Sequence, residues 1–69
     1  MKLFYAYHEK HIDVWGIYVV ENTDELMQVL ATEVEKDKDY IRNNFIYSEL
    51  SHFTNNVTGK KYKVVLEEL

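Results

Sequence analysis

The residues in this sequence that could do chemistry are few. The segment His8-Glu9-Lys10-His11 comes nearest to a metal motif. Zinc-protease chemistry needs two histidines one helical turn apart, at i and i+4, with a glutamate beside the first. Here the histidines stand at i and i+3, in a stretch that reads as a turn. His52 becomes a third ligand only if the fold carries it to the first hairpin, and three imidazoles suffice for zinc. No metal is expected, and His8, His11 and His52 are the candidate ligands.

Acid–base work needs carboxylates held in a concave site. Asp13 and Glu49 are the acids inside expected strands ahead of the last one, and each reads first as a solvent-facing strand residue. The chain has no cysteine, which removes thiolate nucleophiles, disulfides and Cys-based zinc sites. Two isolated glycines, Gly16 and Gly59, cannot form a phosphate-cradling loop. Asn56-Val57-Thr58 matches a glycosylation acceptor, but without a secretory signal it reads as a chance match in a loop. No enzyme activity is expected, and no cofactor.

Whatever these residues do, a small set of elements must position them. Residues 2–8 are aromatic-rich and strand-like, and Glu9-Lys10-His11 makes a turn. Residues 12–20 are the clearest strand. Ile12, Val14, Tyr18 and Val20 fall on one face and Trp15, Ile17 and Val19 on the other, because strand side chains alternate. Asn22 or Thr23 caps a helix, and Asn22 with Glu25 has capping-box spacing. Leu26, Val29, Leu30, Val34 and Ile41 recur as one apolar stripe. The charged stretch 33–39 either continues this helix or breaks it, and Asn43-Asn44 marks its stop. Residues 45–53 fit strand or helix, with strand favoured by the asparagine pairs on either side. A hairpin loop at 55–60, with Gly59 free to take a positive φ, leads to a last strand from Lys61 to Leu66 or beyond.

The expectation is an α+β fold in ββαββ order. A small antiparallel sheet of three to four strands carries one helix on one face, in a single domain over residues 1–69. A chain of 69 residues has little core to spare, and with no disulfide or metal in view, tight packing or self-association must supply its margin.

Composition narrows function. Hydrophobic residues at 46% and charged residues at 29% are the balance of a folded domain. The net charge of −4, with Arg42 the one arginine among eight basic residues, disfavours nucleic acid and anionic lipid. The apolar start stops at His8, too short for a signal-peptide core, and no apolar stretch approaches the ~18 residues of a membrane span. A cytoplasmic chain with no membrane association is expected.

Two features point to another protein as partner. The second strand is apolar on both faces, yet one helix covers only one. Trp15, Ile17 and Val19 are then an interface, within a homodimer or with another protein. Residues 21–39 hold seven acids against two lysines, so the acidic surface is concentrated there, with Glu33, Glu35, Asp37 and Asp39 as its steering residues. Lys60, Lys61 and Lys63 form a small basic cluster that could meet such a surface in a second copy. Tyr5, Tyr7, Tyr18, Tyr47 and Tyr62 read as core residues first, protein-interface residues second and base-stacking residues last. The composition, rich in Lys, Asn and Ile with a single Arg, suits an AT-rich genome, and small cysteine-free domains are common among bacterial and phage accessory proteins. The expected function is a non-enzymatic interaction module, in concrete form a phage- or mobile-element-encoded inhibitor or regulator. The alternatives are a small-ligand or metal-binding domain built on the histidines and a single-stranded nucleic-acid binder built on the tyrosines.

Overall fold

The computed structural model describes residues 1–69. Seven elements follow one another: β1 (Lys2–His8), β2 (Trp15–Val20), α1 (Thr23–Val34), α2 (Lys38–Asn44), β3 (Phe45–Glu49), β4 (His52–Thr54) and β5 (Lys61–Lys63). The α+β class and the antiparallel pairing agree with the sequence reading, whereas the ββαββ order with one helix does not.

β1 is the central strand of a three-stranded antiparallel sheet ordered β2-β1-β3. Its even positions Phe4, Ala6 and His8 are buried and its odd positions are half-buried, the alternation a pleated strand with one covered face must show. β2 begins at Trp15 rather than Ile12, because a tight turn bonds the Val14 N–H to the His11 carbonyl at 2.9 Å and throws Ile12 into solvent.

The helical segment breaks in two. Asn22 caps α1 by accepting from the Glu25 N–H at 2.9 Å, and the Glu25 carboxylate reaches back to the Glu21 N–H at 2.8 Å. The carboxylates of Asp24 and Glu25 also suit the positive end of the helix. α1 ends where Glu35 turns left-handed, at φ 58°, and the Lys36 N–H closes back on the Ala31 carbonyl at 3.0 Å. Asp37 then caps α2 by accepting from the Tyr40 N–H at 2.8 Å. Of the two outcomes left open for the charged stretch 33–39, the helix breaks there, with Glu35 ending one helix and Asp37 starting the next. Leu26, Met27 and Leu30 from α1 and Ile41 from α2 close over Phe4, Ala6, Val20 and Phe45 to make the core. Val29, placed in the apolar stripe by its spacing, is exposed.

The segment 45–53 also divides. Phe45–Glu49 pairs with β1, and the ladder ends at the Leu50 N–H to Leu3 carbonyl bond of 2.7 Å. The chain then bends at Ser51, and β4 pairs with β5 in a separate two-stranded sheet. In its loop, Asn55 Oδ1 accepts from the Val57 and Thr58 N–H groups, and Gly59 takes φ 73°. β5 stops at Lys63, short of Leu66. Every residue of β4 and β5 is exposed, and their one sizeable internal contact is Phe53 stacked on Tyr62, with ring centres 5.4 Å apart. The projecting hairpin makes the molecule long, 40 × 27 × 18 Å. Its radius of gyration of 13.7 Å exceeds the ~11 Å of a compact chain this size.

Candidate functional site

Both helices pack on the face of the sheet that carries Phe4, Ala6 and Val20. The opposite face has no cover of that kind. Strand register places its side chains in rows across β2, β1 and β3: Trp15, Tyr7, Ile46, then Ile17, Tyr5, Ser48, with Val19 beside Leu3. Trp15 is 66% exposed, Ile17 58%, Val19 50% and Ile46 42%. The Tyr5 and Tyr7 rings lie parallel, 1° apart in plane with centres 6.3 Å apart, so the face is aromatic as well as aliphatic. The two-sided apolar pattern of residues 15–20 indicates this exposure in the sequence. The contributions of Tyr5, Tyr7 and Ile46 come only with the register.

The backbone adds an edge to this face. The His8 N–H donates to the Val14 carbonyl at 2.8 Å, and the Leu50 N–H donates to the Leu3 carbonyl. In an antiparallel ladder, a residue turns its N–H and C=O to the same neighbour and alternate residues turn to opposite neighbours. The even residues of β1 therefore bond to β2, and its odd residues bond to β3. On β2, Gly16, Tyr18 and Val20 bond inward to β1. Trp15, Ile17 and Val19 point their N–H and C=O groups outward to the free edge. The same three side chains that stand on the open face thus also own the unpaired backbone groups. No charge, proline or bulge interrupts β2, although native edge strands usually carry such protection.

Negative charge flanks β2. Residues 12–35 contain Asp13, Glu21, Asp24, Glu25, Glu33 and Glu35 and no Lys, Arg or His. Glu21 faces the N-terminal ammonium at 3.4 Å and Asp24 faces Lys38 at 3.0 Å, while Asp13, Glu33 and Glu35 have no cationic partner. Glu33 accepts from the Tyr18 hydroxyl at 2.7 Å. Burial, then that hydrogen bond, then the charge of Glu33 push the Tyr18 phenol up to about 12. A hollow of about 320 Å³ lies between β2 and the end of α1, with Val14, Leu30 and Val34 among its walls and Asp13 and Glu33 as its acids.

The four acids expected to steer a partner are spread over three settings. Glu33 closes α1, Glu35 occupies the left-handed turn, and Asp37 and Asp39 begin α2. Asp37 is engaged as a cap, and Asp39 pairs with Arg42 at 2.7 Å. Asp13 and Glu49, read first as solvent-facing strand residues, are both exposed, although Asp13 lies in the turn before β2 and not in the strand.

The histidines do not gather. No group of three His, Asp or Glu side chains stands close enough to share a metal ion. His8 and His11 are neighbours, with ring centres 4.5 Å apart, but His52 is in the separate hairpin beside the Ser51 hydroxyl. His8 is 5% exposed and spends both ring nitrogens on structure: Nδ1 accepts from the Lys10 N–H at 3.0 Å, and Nε2 meets the Tyr40 hydroxyl at 3.0 Å. Of the tyrosines read first as core, Tyr18 packs half-buried against it with its hydroxyl at the rim, Tyr5 and Tyr7 are half-buried on the open face, and Tyr47 and Tyr62 are exposed.

No helix is long and apolar enough to cross a membrane. Comparison with known proteins gives no match to a family model, a curated protein or a solved structure.

Proposed function

We propose that this chain is a non-enzymatic protein-interaction module. Its working surface is the open face of Trp15, Ile17, Val19, Tyr5, Tyr7 and Ile46, steered by the acids around α1 and the start of α2. The observation that supports this is the coincidence of large apolar side chains on the one sheet face without helices. An exposed apolar patch of this kind marks a protein contact more often than a small-molecule pocket. The aromatic part of the face could stack bases, but a nucleic-acid site wants a positive field, and the charge flanking β2 is negative. In the absence of a partner the same face is shared between two copies, so the free form is a homodimer. The setting is the cytoplasm, and the concrete role is that of a phage- or mobile-element-encoded inhibitor or regulator.

Light scattering after size exclusion tests the free form, with a mass near twice 8.3 kDa expected. Affinity capture tests the surface. A discrete protein held by the native chain is lost from the Trp15→Ser, Ile17→Ser double variant, whose circular dichroism stays native because both side chains lie outside the core. Capture that survives both substitutions overturns the proposal.

A further inference from the structure

We infer that the partner adds an extended strand to the free edge of β2, and that this strand alternates apolar residues with Lys or Arg. This deepens the interaction reading above and rests on it.

Three observations carry it. First, Trp15, Ile17 and Val19 each present one unpaired N–H and one unpaired C=O along the same edge, and no turn, loop or cap hydrogen bond reaches them. An extended chain laid there gains a ladder without disturbing any existing bond. Second, side chains directly opposite one another across a ladder share a face. Partner residues opposite Trp15, Ile17 and Val19 therefore stand on the open apolar face, where β-branched or aromatic residues pack best. Third, the partner residues between them turn to the helix side, beside Gly16 and Tyr18. There the hollow between β2 and α1 offers Val14 and Val34 to an aliphatic stem, and Asp13 and Glu33 to a cationic head. A Lys or Arg side chain has that shape, an apolar stem ending in charge. Both acids lack a cation in the free chain.

The pattern also excludes the nearest internal candidate. The Val64 N–H donates to the Ser51 carbonyl, so Tyr62 and Val64 bond toward β4, and Lys61 and Lys63 turn their backbones to the outer edge of β5. If that edge met β2, the lysines would lie on the apolar face among Trp15 and Ile17. The basic hairpin of a second copy therefore has the wrong phase for antiparallel addition to this edge.

The test uses the full chain and two short synthetic peptides of identical composition. One alternates valine and lysine, and the other has the valines and lysines in two blocks. Trp15 is the sole tryptophan and stands on the edge, so its emission reports binding directly. The alternating peptide is expected to change Trp15 emission and to bind at least about tenfold tighter than the blocked one. Ile17→Pro removes one outward N–H, at a site where an edge strand tolerates proline, and is expected to abolish that preference. Ile17→Val keeps both the N–H and a β-branched apolar side chain and retains it. Equal binding of the two peptides to the native chain overturns the strand-addition mode, whatever the variants do, and means charge alone attracts them. If Ile17→Pro, and not the Trp15→Ser, Ile17→Ser variant, turns a dimer into a monomer, a second copy owns the edge and the proposal also fails. Protein capture that persists while the peptides fail leaves the open-face reading standing without the edge. Loss of both removes the two together.

Discussion

Tyr18 and Glu33 show how one hydrogen bond ties strand, helix and charge together. The phenol is held up to about 12 against an ordinary 10.0. Below pH 10 the folded and unfolded chains both keep the proton, and the contribution of the bond to stability is complete. As pH climbs from 10 toward 12 the unfolded chain ionises first, so stability drains away across that window. Alkaline titration followed by phenolate absorbance is expected to show one tyrosine ionising late. Glu33→Gln is expected to move that ionisation back toward 10, though not all the way, because burial is the larger cause. An unchanged late ionisation in the variant would show that Glu33 has no part in it. At this scale the sequence is a partial guide. Trp15, Ile17 and Val19 are legible as a second apolar face because alternation alone assigns them. His8 is not legible, since its bond to Tyr40 joins residues whose proximity depends on α2 docking beside the end of β1. The acids at 33–39 look alike in sequence, and only the backbone distinguishes a cap from a free charge.

Among the elements, the break between α1 and α2 has the clearest energetic signature. Glu35 adopts a left-handed backbone that costs a residue with a Cβ about 1 kcal/mol or more and costs glycine little. Glu35→Gly is therefore expected to raise unfolding stability by about 0.5–1 kcal/mol in a urea titration, after the glycine's extra unfolded-state freedom is counted. A loss of stability would mean the turn depends on the Glu35 side chain. Sequence reading leaves this break open because its usual marker, a glycine after the helix, is absent. Asp37 is the signal present, a capping residue three positions before the amide it serves. The split of residues 45–53 is harder to foresee. Phe45, Tyr47 and Phe53 keep strand alternation on both sides of the bend at Ser51, so periodicity alone does not show that the chain leaves one sheet for another.

For the whole molecule, the two sheets are unequal in support. The first is backed by helices and a buried core, whereas the β4–β5 hairpin projects with every strand residue exposed. An isolated hairpin is marginal in water. Hydrogen exchange is accordingly expected to be at least about tenfold faster at the ladder amides of 52–54 and 61–63 than at those of β1. Equal protection would show the hairpin to be clamped, by a second copy or by the sheet itself. The overall class and the unpartnered face follow from the order and patterning of elements. The count of helices and the detachment of the hairpin follow from local backbone events that patterning averages over.

The strand order β2-β1-β3 also sets a timetable for synthesis. The central strand is made before both of its neighbours, and Phe4 and Tyr5 find Glu49 and Ser48 only after both helices have been added. Until then β1, rich in Leu, Phe and Tyr, has its hairpin partner on one side and nothing on the other. The nascent chain therefore passes through a stage in which its future centre is a sticky margin.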